Sequence, residues 1–355
     1  ANWERGENAQ FYQLEVSTDE EFESLVPGYE SADVGISTSH VITGLSPGTD
    51  YFYRVRAKVN NLMSAASHTI STTTYPDVPI VLRASELNAR EFRANWQPAE
   101  GARAYKLDLS ANPDFTDYVS VYENYNVQNI TSLKIFNLEP GEEYFYRVRS
   151  KAGPRVSANS EVMSVRTLDV SPENSSVTQE QYRILANGVQ SNPIDVVVRS
   201  AEKVPLKGLT VELIPDREDV EIGRIRGTTG QEGNAHFTVR SQQSGTVAFE
   251  VQANGKVIDT VEVEFIADEG ELKLGDNYPN PFDGRTTLPV LVPHAMHIEL
   301  QVYDAVGRLV RTLVSETKEA GYHEIPFEMH GLSTGVYFYR VVAGGKVITK
   351  KMVKV

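Results

Sequence analysis

The sequence predicts an all-β chain, a string of β-sandwich domains closed by a small C-terminal β-sandwich. Three observations predict it. No long stretch of the 355 residues carries the apolar period of a helix. Tyrosine is abundant, with 17 copies, and Val and Thr recur in short runs that suit pleated, half-buried strands. An eleven-residue segment, GTDYFYRVRAK from Gly48 to Lys58, returns as GEEYFYRVRSK from Gly141 to Lys151.

Length and composition bound the rest. At roughly 100–150 residues per domain, length alone predicts about three domains. The formal net charge of −14 repels phosphate backbones, which argues against a nucleic-acid partner. No apolar run is long enough for a transmembrane helix, and no signal peptide opens the sequence. There is no cysteine, which removes disulfides, thiolate metal sites and cysteine nucleophiles. Each sandwich must therefore stand on its own hydrophobic core.

The repeat defines the first two domains, residues 1–74 and 75–168. Its offset of 93 residues also carries Trp3 onto Trp96, Leu14 onto Leu107, Phe22 onto Phe115, Leu45 onto Leu138 and Pro47 onto Pro140. A constant register means two copies of one domain without net insertion. Tyr51, Tyr53 and Val55 alternate with Phe52, Arg54 and Arg56, so a strand there faces one set inward. LSPG and LEPG just before supply turns. The spacing from that Leu to Tyr51 or Tyr144 suits a tyrosine corner, in which the phenol bonds back to nearby backbone. Both copies resemble fibronectin type III domains, with Trp3 and Trp96 as the core tryptophan of the second strand. Copy two has room for a first strand near Ile80 to Ala84; copy one starts at its second. The natural protein is therefore expected to extend upstream, where a signal peptide would lie.

Residues 169–267 change pattern. PIDVVVRS (Pro193 to Ser200), LTVELIP (Leu209 to Pro215) and GTVAFEVQANGKVIDTVEVEF (Gly245 to Phe265) read as strands, with a hairpin at Asn254-Gly255. Thr228, Thr229, Gly233, Ala235 and Phe237 match a stretch typical of bacterial immunoglobulin-like domains of the invasin-related kind. Gly230 departs from that pattern, standing where an acid is common. The segment resembles such a domain.

The last domain, 268–355, follows the acidic linker ADEGE (Ala267 to Glu271). NYPNPF contains Asn277, Pro279, Asn280, Pro281 and Phe282; its prolines exclude a helix and any central strand pairing. Asp304 to Gly307 fits a tight turn between strands in IELQVYDAVGRLVRTLV, and Gly344-Gly345 turns the hairpin from Gly335 to Val355. The order NYPNPF, TTL at Thr286 to Leu288, VYDAVGRLV, AGYHEIPF around Gly321, LSTGVYFYR with Gly335 and Tyr337, then TKKMVKV with Lys350 and Lys351 resembles the type A C-terminal sorting domain of the type IX secretion system of Bacteroidota. These residues are the sorting-signal candidates. The resemblance implies export to the surface or medium through the periplasm and outer membrane. It implies three partners: an outer-membrane shuttle, a translocon and a sortase. From the residues themselves, a terminal hairpin leaves an edge strand that a receptor can extend. Lys346, Lys350, Lys351 and Lys354 form a basic cluster there, read first as solvated edge lysines. Deleting Lys346 to Val355 is expected to leave the protein in the periplasm.

No catalytic constellation emerges. Seven histidines, at 40, 68, 236, 294, 297, 323 and 330, are scattered; His294 and His297, three apart in extended chain, face opposite ways. There is no G-x-S-x-G, H-E-x-x-H or P-loop. PDREDVE (Pro215 to Glu221) is the densest acidic cluster. Calcium is the cation such a loop would take, but the EF-hand spacing is missing and a solvated loop is the plainer reading. No cofactor is called for. Phe52, Phe145, Phe338 and Tyr125 are candidates for a glycan-stacking platform or, more simply, for packing between strands. The sequence thus predicts a non-enzymatic surface protein with sandwiches as stalk, adhesion or assembly modules, with glycans, other surface proteins or self-association as further partners. The alternative is the accessory end of an extracellular peptidase or glycosidase with its catalytic domain upstream.

Overall fold

A computed structural model describes residues 1–60, 62–119, 121–267, 269–328 and 331–355. Asp268 of the acidic linker and His330 lie outside the described residues. Among those described, regular structure is strand apart from one 3-10 turn at Pro172–Asn174. The chain divides into two compact units, Ala1–Leu168 and Asp169–Val355.

Unit one holds the repeat. Its first copy pairs Ala32–Asp33, Phe11–Ser17, Asp50–Val59 and Leu62–Met63 in that order, with Ile70–Thr73 also on Asp50–Val59. The second orders Arg155–Val156, Glu143–Ala152, Ala104–Ser110 and Tyr125–Val127, with Met163–Arg166 on Glu143–Ala152. Register repeats as well as sequence: Leu14 faces Val55, and Leu107 faces Val148. The second copy adds a sheet of Ser132–Ile135, Phe92–Trp96 and Val81–Ser85. Among the described residues the first has a single bridge, Asn2 to Ser39, in its place.

The same contacts hold both cores. Trp96 meets Tyr105 edge-on at 5.6 Å, and Trp3 meets Tyr12 at 5.6 Å. The Tyr105 hydroxyl accepts the Ala99 N–H at 3.1 Å, and Tyr12 accepts the Gly6 N–H at 2.7 Å. Both tyrosine corners are formed: Tyr51 accepts the Ser46 N–H and Tyr144 the Glu139 N–H, each at 2.9 Å. Phe22 and Phe115 both take positive φ, 61° and 55°, and an arginine lies over each ring, Arg54 at 3.9 Å and Arg147 at 4.0 Å. Beside them Glu15 pairs with Arg54 and Arg56, and buried Asp108 with Arg147 and Arg149. The two copies meet where Arg103 donates to Asp50 at 2.8 Å and to the Gly48 carbonyl at 3.0 Å. Gly48 has φ +57°, and a Cβ there would lie 2.0 Å from the Gly101 carbonyl oxygen.

Unit two opens with two four-stranded sheets. One orders Ser176–Gln179, Asn192–Val197, Asn234–Ser241 and Val220–Arg226; the other Arg183–Leu185, Lys256–Ile266, Gly245–Ala253 and Val211–Pro215. The hairpin at Asn254-Gly255 is present, with both residues at positive φ. Three strands of this region, 176–179, 183–185 and 220–226, are not apparent from the sequence. The first two are short, and Arg183–Leu185 pairs parallel with a strand 81 residues away, beyond local pattern.

Two further sheets finish the unit. Lys273–Leu274, Arg285–Val292 and Gly321–Glu328 form one; Leu309–Lys318, Met296–Asp304, Gly335–Ala343 and Lys346–Lys354 form the other. Phe282, Leu288, Leu300, Phe327, Tyr339 and Met352 fill the space between.

Candidate functional site

The NYPNPF segment is where the lead-in chain leaves one of these sheets and joins the other. Lys273–Leu274 pairs antiparallel with Leu291 and Val290, and Tyr278 exchanges backbone bonds with Thr287 at 3.1 and 2.9 Å. Two cis X-Pro bonds follow, at Pro279 and Pro281. Phe282 then lies parallel to the last strand: its N–H donates to the Val353 carbonyl at 3.0 Å and its carbonyl accepts the Val355 N–H at 3.0 Å. Proline supplies no donor, so pairing at these sheet margins is the pairing it permits.

Between the two sheets the backbone needs other partners, and side chains supply them. The Tyr339 hydroxyl accepts the Asn277 N–H at 2.9 Å and donates to the Gly275 carbonyl at 2.7 Å. The Asn277 amide donates to Thr286 Oγ1 at 3.0 Å and to the Pro279 carbonyl at 3.2 Å. Thr286 Oγ1 also donates to that carbonyl, at 2.9 Å. Asn280 Oδ1 accepts the Val353 N–H at 3.0 Å. Phe282, 1% exposed, enters the core. The motif is thus an internal knot that ties the C-terminal strand down. Burial pushes the Tyr339 phenol up to about 12.

Tyr337 is the tyrosine that the LSTGVYFYR motif offers, but the tyrosine at the knot is Tyr339. Both face inward in the Gly335–Ala343 strand; Tyr337 instead donates to the Ser333 carbonyl at 2.8 Å. Period-two alternation gives the face of a residue, not which partner it reaches.

The other candidates separate into turns and edge residues. Asp304 Oδ1 accepts the N–H groups of Val306 and Arg308 at 3.0 and 2.9 Å, and Gly307 takes φ +82°. The Arg308 N–H, helped by the Arg308 guanidinium and the Val306 N–H, holds the Asp304 carboxyl below its ordinary value against the opposing effect of burial. Gly344 and Gly345 turn the last hairpin at φ +54° and +80°. Gly335, at φ +155°, starts its inner strand. Gly321 lies apart, against Gln190.

The basic cluster is divided. Lys350 pairs with Asp276 at 2.6 Å and Lys346 with Glu271 at 3.6 Å, while Lys351 projects from the opposite face and is exposed. Alternation along a strand separates neighbours in sequence. The terminal hairpin predicts a free edge, but the edge is not wholly open, because Phe282 occupies its C-terminal end. The Val353 N–H and carbonyl point outward to Asn280 and Phe282, so those of Val347, Thr349 and Lys351 point outward too. Gly335–Ala343 pairs with this strand on its inner side, and among the described residues no strand pairs with these three on the outer side.

The remaining sequence candidates do not assemble. In PDREDVE, Asp219 is held by Arg217 at 2.6 Å and Glu221 by Arg240, while Asp216 accepts the Ala248 N–H at 3.1 Å. Among the described residues no group of three His, Asp or Glu is placed to hold a metal ion. His294 sits in the bend before the strand that carries His297, so the two do not share extended chain. Phe52, Phe145 and Phe338 are half-buried on three different sheets, and Tyr125 packs on Tyr122 at 5.5 Å.

Residues 276–355 match the family described as secretion system C-terminal sorting domain. The chain ends in a sorting domain. Residues 174–266 match the bacterial Ig-like domain, group 1. The repeat region is similar to Fibronectin type III domain-containing protein 1 of Margaritifera margaritifera, 31% identical over 161 residues, 43% of this chain and 20% of that protein. It is also similar to rat Tenascin-R, 27% identical over 165 residues, 45% of this chain and 11% of that protein. The chain thus spans a fifth or less of the length of these relatives. Solved structures aligned with it include a two-domain fibronectin type III segment of chicken tenascin (20% identity, TM-score 0.31, 47% of this chain and 90% of that one). Invasin, a bacterial integrin-binding protein, aligns at 11% identity and TM-score 0.30, over 77% of this chain and 59% of that one. The Escherichia coli adhesin FdeC aligns at 14% identity and TM-score 0.30, over 79% and 98%.

The sorting domain directs export to the cell surface or extracellular space and so implies contact with secretion machinery. Among the described residues no helix is long and apolar enough to cross a membrane. The domains ahead of the sorting domain are structural modules of fibronectin type III and Ig-like kind.

Proposed function

We propose that the protein is a surface or secreted component exported by the type IX route, and that its sorting domain is read as a folded edge. The observation that carries this is the open stretch Val347, Thr349 and Lys351. It is bounded on one side by the Lys346–Glu271 pair and on the other by Phe282 against Val353 and Val355. A receptor strand from the outer-membrane shuttle adds there, in a length set by the two closures. The translocon and sortase act after that capture. In this reading the NYPNPF knot is not touched by the receptor; it fixes the strand that is.

The sandwiches ahead act as a stalk or assembly module. The joint between the two repeat copies, in which glycine backbones meet and Arg103 bridges, supports a stiff spacer more than a loose tether. A reporter fused ahead of residues 169–355 tests the export reading. It is displayed in a type IX host and stays periplasmic when the translocon is deleted; display without the translocon refutes the reading.

A further inference from the structure

The sorting domain has a second apolar surface, and it is already covered. In the Arg285–Val292 strand, Leu288, Val290 and Val292 face the core. Leu291 faces the other way, and alternation predicts that it meets solvent. Instead it is 5% exposed, and its cross-strand neighbour Tyr322 is 7% exposed. Both pack on Leu185 and Ile266 of the Ig-like domain.

Polar groups fix the same contact. Gln190 Oε1 accepts two backbone N–H groups, from Leu185 of its own domain at 2.8 Å and from Tyr322 of the sorting domain at 3.2 Å. Arg183, held by Glu264 at 2.7 Å, donates to the Tyr322 hydroxyl at 3.4 Å. A Cβ on Gly321, which has φ +157°, would lie 2.8 Å from Gln190 Nε2. A side chain there would displace the Gln190 amide from these bonds.

The described residues of the covalent connection lie outside this contact. Ala267, Glu269, Gly270 and Glu271 are exposed, whereas Ile266 belongs to the shared cluster and Leu272 to the sorting-domain core. Each end is anchored independently of the connection between them.

We propose that the Ig-like domain is the docking partner of the sorting domain, so that scission of the exposed connection at Glu269 to Glu271 leaves the two domains associated. Cutting and release are then separate events. Release requires that something displace Leu291 and Tyr322 from Leu185, Ile266 and Gln190. The exposed connection is the accessible target and the dock is the retaining element.

The test uses the full chain with a site-specific protease sequence in place of Glu269 to Glu271. After complete cutting, size exclusion and native mass spectrometry at micromolar concentration read whether the fragments travel together. The proposal expects one complex from the otherwise unaltered chain, and separate fragments from Leu291→Asp and from Gln190→Ala. Gln190→Ala removes no side chain from the sorting-domain core, so it decides the matter where Leu291→Asp fails to fold. Separation of the unaltered fragments overturns the proposal, and so does co-elution of the Gln190→Ala fragments.

Discussion

The Tyr339 hydroxyl and the Asn277 N–H meet at 2.9 Å across 62 residues of sequence. That bond joins two motifs that sequence treats as separate, NYPNPF and VYFYR. It explains why both belong to one small sandwich: the tyrosine satisfies backbone that the strand switch leaves unpaired.

Tyr339→Phe keeps the ring and removes both bonds, leaving a buried N–H and carbonyl without the hydroxyl. Such a loss costs about 1–3 kcal/mol. Hydrogen exchange over residues 335–355 should speed up while residues 1–168 are unaffected. Unchanged protection would mean that the knot contributes nothing.

Alkaline stability follows from the same burial. Desolvation pushes Tyr146 and Tyr339 up to about 12 from the ordinary 10.0. A phenol raised in the folded state favours folding fully below pH 10, and that contribution is lost as pH rises through 12. Circular dichroism between pH 10 and 12 should show progressive loss of sheet. Tyr146→Phe should reduce it in unit one and Tyr339→Phe in unit two. Equal alkaline sensitivity in the variants would contradict this cause.

Asp108 sits at 2% side-chain exposure between Arg147 and Arg149, which are 21% and 24% exposed. Its cost of removal falls between that of an exposed pair and a buried one, so Asp108→Asn should cost about 2 kcal/mol. Glu15→Gln in the first copy, at 14% exposure, should cost less. Thermal melting of both variants checks the order.

Gly48→Ala places a methyl group against the Gly101 carbonyl at a positive φ. The joint between the repeat copies should loosen while both sandwiches stay folded. Residual dipolar couplings measured on the two copies should then fit two alignment tensors. A single shared tensor would show that the joint tolerates the methyl.

Much of the fold was legible because it is local. The 93-residue register, the tyrosine corners at Tyr51 and Tyr144, and the turns at Gly255, Gly307 and Gly345 each follow from spacing or from a residue that permits positive φ. The contacts that make the sorting edge are not local. Phe282 pairs parallel with a strand more than seventy residues on, and Tyr339 reaches Asn277 from the opposite sheet. Gly321 reads as a motif glycine, yet its neighbour is Gln190 of another domain. Adjacent lysines 350 and 351 read as a cluster until alternation parts them.

Deletion of the last strand disturbs more than its edge. Removing Lys346 to Val355 also removes Met352 from the core, worth about 1.5–3 kcal/mol, strips away Ile348 packed against it, and unties Phe282. Thr349→Pro removes one outward N–H while leaving the inward side chains in place, and an edge strand tolerates proline. Thr349→Val keeps that N–H. The decisive measurement is surface display of the two variants in a type IX host. Thr349→Val should be displayed and folded Thr349→Pro should stay in the periplasm; normal display of Thr349→Pro would show that the outward edge is not read.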